Sequence, residues 1–174
     1  MYNEVKIGNI NVPMLCMASS DVYYRNIFHE DPIKLQAAFG DDAGAMINFY
    51  SKMAFVLAKY AELKDRKEML KLNEDSYAEW LDQFDHSEFM DALEGVMLTY
   101  NGQSITTAEA KKKQRRTDRQ LTCAVFLLRA VQMGLTLDDL DSMEYGLVVD
   151  MMTESGNDSQ TYRTLAEQED FDKF

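Results

Sequence analysis

Residues able to do chemistry are scarce in this chain, and their spacing is poor for it. Only two histidines occur, His29 and His86, and only two cysteines, Cys16 and Cys123. Both histidines fall at the ends of helical patterns, where an imidazole satisfies a cap or meets the helix dipole. Asp138, Asp139 and Asp141 lie close together but lack the Asp-x-Asp-x-Asp-Gly spacing and downstream Glu of a calcium loop, and so read as helix-start acids. Asp82 and Asp85 form a carboxylate pair with no sign of the cleft that acid/base work needs. No Ser-His-Asp order, Gly-x-Ser-x-Gly elbow, phosphate-binding glycine loop or Cys-x-x-Cys pair is present. No catalytic, metal-binding or cofactor-binding residue is assigned, and the expectation is a protein that binds rather than reacts.

Binding chemistry is offered by one basic run, Lys111-Lys112-Lys113-Gln114-Arg115-Arg116, in a chain of net charge −12. Residues 1–110 carry 9 Lys/Arg against 18 Asp/Glu, residues 111–119 carry 6 against 1, and residues 120–174 carry 3 against 11. A third of the positive charge thus sits in nine residues between two acidic blocks. As a nucleic-acid site the run is short, without interleaved aromatics, and set in a chain that polyanions repel. The better reading is a solvated helix face joining two modules. The alternative is a nucleic-acid-binding regulator using a basic helix over 107–120, with the following short helices as a helix-turn-helix-like unit.

Composition sets the remaining bounds. Hydrophobic residues at 46% against 28% charged suffice for a core in one domain plus a small appendage. No apolar run approaches the roughly 20 residues that span a bilayer, and the start Met-Tyr-Asn-Glu-Val-Lys lacks the pattern of a signal peptide. Cys16 and Cys123, each in apolar context, read as buried reduced thiols of a cytoplasmic protein. Twelve methionines suit adaptable packing, in a loose core or on a binding surface.

Periodicity then places the elements. Val5, Ile7, Ile10 and Val12 alternate around Gly8-Asn9, a β-hairpin whose second strand Pro13 confines to an edge. Ser19-Ser20-Asp21 offers caps to a helix with Val22, Tyr23 and Ile27 on its apolar side. Asp31-Pro32 starts another helix, which Gly40 stops. Over 43–63, Met46, Phe49, Tyr50, Met53, Leu57 and Tyr60 form one buried stripe. Asn73 caps a helix bearing Tyr77, Trp80, Leu81 and Phe84, with Trp80 set against that stripe. Asp85 with Glu88 resembles a capping box for the next helix, with Phe89, Leu93, Val96, Met97 and Tyr100. Thr106 with Glu109 starts a long helix through the basic run to Gly134, apolar at Leu121, Ala124, Val125, Leu128 and Val131. Thr136 with Asp139 caps a short helix, and Tyr145, Leu147, Val148 and Met151 mark a last one. The acidic stretch 156–174 has too little apolar content to pack.

Two segments bring a family into view. The hairpin Val5–Met14, the helix Tyr23–Phe28, Asp31-Pro32-Ile33, Met53–Ala58 and above all Trp80-Leu81-Asp82-Gln83-Phe84-Asp85 resemble, over residues 4–103, the tail assembly chaperones of long-tailed bacteriophages of Gram-positive hosts. The stretch Ala130–Leu140, with Met133-Gly134-Leu135, followed by Met143–Asp150, resembles the small C-terminal module that such phages append by a programmed ribosomal frameshift. It departs at Glu144-Tyr145, where a Thr-Pro pair is common. The resemblance implies a non-catalytic chaperone of the host cytoplasm that coats the tape-measure protein, recruits tail-tube subunits and leaves before the tail matures.

The architecture expected is mainly α: a main domain over 1–105 with an N-terminal β-hairpin, a linking helix over 106–134, a small helical module over 135–155 and a loose tail over 156–174. Leu135, Leu137, Leu140, Met143, Tyr145, Leu147, Val148 and Met151 exceed what two short helices bury between themselves. They are the candidate partner-binding residues, facing the main domain, the tape-measure protein or a further copy of the chain.

Overall fold

The computed structural model describes residues 1–110 and 119–158. It is mainly helical, with an N-terminal two-stranded antiparallel hairpin of β1 (Tyr2–Ile7) and β2 (Ile10–Leu15). Val5 stands opposite Val12 and Ile7 opposite Ile10, leaving Gly8-Asn9 as a two-residue turn. Gly8 has φ +57° while Asn9 stays out of the positive region, which is the glycine-first II′ pattern that matches strand twist. Val5, Ile7, Val12 and Met14 form the buried face. The hairpin lies on α3 (Ala43–Glu62) and α6 (His86–Gly102). A side chain at Gly95 would crowd Val5 at 3.1 Å, so glycine there lets strand and helix approach.

The helix α3 is the axis of the fold. Phe49, Tyr50, Met53, Leu57 and Tyr60 are buried as the stripe predicts, and Met46 is half-buried. Yet Ala54, Phe55, Val56 and Ala58 are buried too. A helix apolar all round is a core helix, and α3 is covered by the hairpin, α1 (Ser20–Phe28), α2 (Pro32–Ala38), α5 (Glu74–Leu81) and α6. The short α4 (Arg66–Met69) follows α3 and tucks Met69 under it. Trp80 of α5 is buried in the same cluster as Phe49, Met53 and Leu57, with its ring beside those of Phe55, Phe84 and Phe89. A single stripe on α3 leaves Phe55 without a role; the second covered face supplies one.

Caps follow the sequence at several helix starts. Asp31 accepts from Lys34 N, Asn73 forms a capping box with Ser76, and Thr136 forms one with Asp139. Asp85 caps α6 through Ser87 N, and Glu88 takes no part in a box. The Ser19-Ser20-Asp21 oxygens do not cap α1; all three residues are buried, Ser19 and Asp21 meet Tyr60 and Tyr100, and Ser20 Oγ accepts from Met17 N. His29 closes α1 in the left-handed region at φ +56°.

The linking helix expected over 106–134 is not seen in the described residues. Residues 103–110 run without regular structure, and α7 spans only Cys123–Gln132, capped by Thr122, whose side-chain oxygen accepts from Val125 N. Thr106 and Glu109 start no helix over the described residues up to 110, and the neighbouring Thr107 bonds Asp150 through its backbone N–H and its hydroxyl. The basic run 111–116 lies outside the described residues. Beyond α7 come α8 (Leu137–Leu140) and α9 (Tyr145–Asn157), so Gly156 and Asn157 belong to a helix, and of the expected tail residues 159–174 lie outside the description.

Ala18, Phe126, Ala130, Leu140 and Val148 form a second buried cluster beside the main one. Polar ties bind it to the first. Tyr60 OH donates to Asp141 Oδ1 at 2.9 Å, Tyr23 OH to Asp141 Oδ2 at 3.1 Å, and Cys123 N to Asp31 Oδ2 at 3.1 Å. Ala18 N bonds Met143 O at 2.8 Å and Gly146 N bonds Gln103 O at 2.7 Å. A side chain on Gly146 would strike the Ile105 carbonyl, so glycine is what admits this contact.

Candidate functional site

Three places among the described residues gather the candidate side chains. The first is an open apolar pocket of about 330 Å³ between α3, α5 and α6. Ile47, Leu81, Phe84, Phe89 and Met90 wall it, and Ser51, Asp82 and His86 stand at its edge. Its position follows from the sequence. The capped helix α5 ends at Leu81, the turn Asp82-Gln83-Phe84 brings the ring of Phe84 to 5.0 Å from Trp80, and Asp85 starts α6 at once. The turn therefore holds Leu81 and Phe84 half-buried, able to take an apolar side chain from outside. Asp82 and Asp85 are exposed, and Asp85 is held below the usual carboxylate range by the Ser87 hydroxyl and by backbone N–H groups of α6. Acid/base work needs a carboxyl poised near neutrality, which Asp85 is not, and only Asp82 of the pair lines the pocket.

The second is buried and polar. Asp21 at the start of α1 is 2% exposed and accepts from Tyr100 OH at 2.8 Å. Burial pushes its carboxyl up to about 6, against the pull of the Tyr100 hydroxyl, and Asp31 adds a further upward push. A small cavity of about 50 Å³ adjoins it, lined also by Gln103, Ser104 and Tyr145. Gln103 is buried, and its Oε1 has no hydrogen-bond donor among the described residues. The volume and polarity suit an ordered water.

The third is the C-terminal unit. Of its eight candidate residues, Leu140 and Val148 are core, and Tyr145 stacks on Phe126 with ring centroids 4.8 Å apart. Leu135 and Met143 pack half-buried against the same cluster. Leu137 and Met151 are half-buried, and Leu147 is 51% exposed. Most of the eight thus face inward or toward the main domain. The exposed apolar surface lies elsewhere: Leu121, Leu128 and Val131, on or beside α7, are 48%, 44% and 65% exposed, and Ala124 is exposed with them. The stripe that periodicity sends to the core is the outer one, because Cys123, Phe126 and Ala130 take the inner face. Apolar residues occupy both sides of α7, and periodicity cannot rank them.

Both thiols are buried and free, as expected. Burial drives the Cys16 thiol well up and pushes Cys123 to about 12, so neither supplies thiolate at neutral pH. The acids at 138–141 split in role: Asp139 completes a cap, while Asp141 serves as acceptor for two tyrosines. Among the described residues no group of three His, Cys, Asp or Glu side chains could hold a metal, and no helix is long and apolar enough to cross a membrane. Asp21 and Asp141 escape a reading of the sequence, since nothing in local spacing marks an acid for a partner 79 to 118 residues away. Gln103, at the polar end of α6, carries no local signal of its burial either. No family model, curated protein or solved structure matches this chain.

Proposed function

We propose that this chain is a non-catalytic tail assembly chaperone of a long-tailed bacteriophage or prophage of a Gram-positive host. In the host cytoplasm it binds the tape-measure protein, covers its apolar surface and helps recruit tail-tube subunits. One observation carries the reading: Trp80-Leu81-Asp82-Gln83-Phe84-Asp85, the most specific piece of the resemblance, supplies Leu81, Asp82 and Phe84 to the lining of the open apolar pocket. Trp80 anchors the turn from within, and Leu81 and Phe84 present the pocket wall. A long helical client with exposed apolar side chains would aggregate if bare. A pocket of this size takes one large side chain at a time, and Met90 at its wall adapts to different ones. The chain's net charge of −12 keeps the complex in solution.

The test is co-expression with the tape-measure protein of the same phage, followed by pull-down. Wild-type chain recovers the tape-measure protein, Met90→Leu recovers it undiminished, and Met90→Asp recovers at least about tenfold less while melting as a folded protein, since one buried charge opposes an apolar anchor by more than about 1.4 kcal/mol. Undiminished recovery by Met90→Asp refutes the pocket. Failure of the wild type to recover or solubilise the tape-measure protein refutes the function.

A further inference from the structure

The outer face of α7 has a pattern of its own. On the helix, Ala124, Leu128 and Val131 are spaced four and three apart, the a/d spacing by which one helix seats along another, and Leu121 stands exposed just before the Thr122 cap. In that register Cys123, Phe126 and Ala130, the buried side chains, fall on the side away from the seam. On the helix the flanking positions are Val125, Leu127 and Gln132, none of them charged. From Arg119 to Leu137 the chain holds no Asp or Glu, although it has 30 in total. An exposed apolar helix face thus stands in a long acid-free stretch of an acidic protein.

We infer that this seam pairs with the same seam of a second copy, antiparallel about a two-fold axis between Ala124 and Leu128. Size complementarity fixes the direction. Antiparallel pairing sets Ala124 against Leu128, a small side chain facing a large one, whereas parallel pairing sets Ala124 on Ala124 and leaves a gap. A two-fold axis makes each such contact occur twice. The uncharged flanks argue for a second copy over an acidic or basic partner helix, which would need opposite charges there for its specificity. The stretch without carboxylates is where two chains of net charge −12 can touch without setting acid against acid. A seam of ten helical residues is about 15 Å long. It buries well under the roughly 800 Å² per partner of a standard interface, so the dimer is weak and reversible, with Kd in the micromolar range. The inference stands on α7 alone and does not depend on the chaperone reading.

Sedimentation velocity of the full chain from about 5 to 200 µM brackets that range. The expected result is a concentration-dependent monomer–dimer equilibrium. Added salt should tighten it, because the long-range repulsion between acidic bodies is screened over a Debye length of about 8 Å or less. Leu128→Asp with Val131→Asp should raise Kd at least about tenfold, corresponding to about 1.4 kcal/mol. Both side chains are exposed, and Leu128→Gln with Val131→Gln provides a second pair should the charges disturb folding. Mixed Ala124→Cys and Leu128→Cys chains should cross-link to each other in preference to themselves, since both native thiols are buried. A monomer throughout the range, a dimer indifferent to both double variants, or one that weakens as salt rises would each overturn the pairing. Preferential cross-linking of Ala124→Cys to itself would overturn the antiparallel geometry.

Discussion

Asp21 gives the sharpest quantitative consequence of the fold. Its carboxyl titrates near 6 in the native protein and near 3.8 in the unfolded chain. The cause is burial, opposed by the hydrogen bond from Tyr100 and reinforced by Asp31. Because the native state binds this proton more tightly, stability associated with it is fully present below about pH 4 and is lost as pH rises through about 6. The gap of about two pH units corresponds to roughly 3 kcal/mol. Replacing Asp21 by Asn removes the titration, keeps the side-chain shape and retains an oxygen to accept from Tyr100.

Asp21→Asn should therefore leave stability within about 1 kcal/mol at pH 4, where the native carboxyl is already neutral, and raise it by roughly 2–3 kcal/mol at pH 8. In a chain of this size that is a rise of about 5–10 °C in Tm. Urea unfolding of both proteins at half-unit steps from pH 4 to 8 gives the difference directly, and the other carboxylates cancel in the comparison. The change should be centred between about 4 and 6. Tyr100→Phe removes the bond that holds the carboxyl down, so in that background the window should move upward in pH. A difference between the wild type and Asp21→Asn that stays flat across the range would refute the argument, since it would mean that the carboxyl is hydrated in the native protein.

Three further outcomes test the packing. Trp80→Ala should cost about 3–5 kcal/mol in urea unfolding, because the ring fills space between Phe55, Phe84 and Phe89; a cost under about 1 kcal/mol would place it at the surface. Asp141→Ala strips the acceptor from the Tyr23 hydroxyl, while that of Tyr60 keeps the Asp141 carbonyl and Ser19, and should cost about 1–2 kcal/mol, with hydrogen exchange rising first in α8 and α9. Gly146→Ala forces the backbone at Ile105 to move and should loosen α9 from the main domain, read as faster exchange at Gly146 and Val148, whereas Gly156→Ala, with open space around it, should be neutral or slightly stabilising.

Local rules are legible in this sequence wherever one residue's neighbours decide its state. The Gly8-Asn9 turn, the Asp31, Asn73 and Thr136 caps and the stripe of α3 all depend on side chains within a turn or two, and all are in place. The failures occur where a distant partner overrides a local one. Ser19 looks like a cap, but its hydroxyl meets Tyr60 OH at 3.1 Å, and Asp21 two residues on is claimed by Tyr100. Thr106 looks like a helix start, but Asp150 takes the backbone N–H and hydroxyl of the next residue, Thr107, and no helix follows up to 110. Each of these lost caps is a tie between α1 or the 103–110 segment and a later part of the chain.

Distant packing also decides where the candidate surface lies. The excess of apolar side chains after Gly134 is real, but the main domain supplies what the short helices lack: Ala18 enters the second cluster, with Ile33 packed half-buried against it. Leu140 and Val148 are thereby buried, and the unsatisfied surface is displaced to the opposite side of α7. Counting apolar residues locates the surplus in the right third of the chain. Only the packing can say which face is left over, because α7 carries one apolar stripe for Phe126 and Ala130 and another for Leu128 and Val131, and the docking of the first on the main domain is what leaves the second outside.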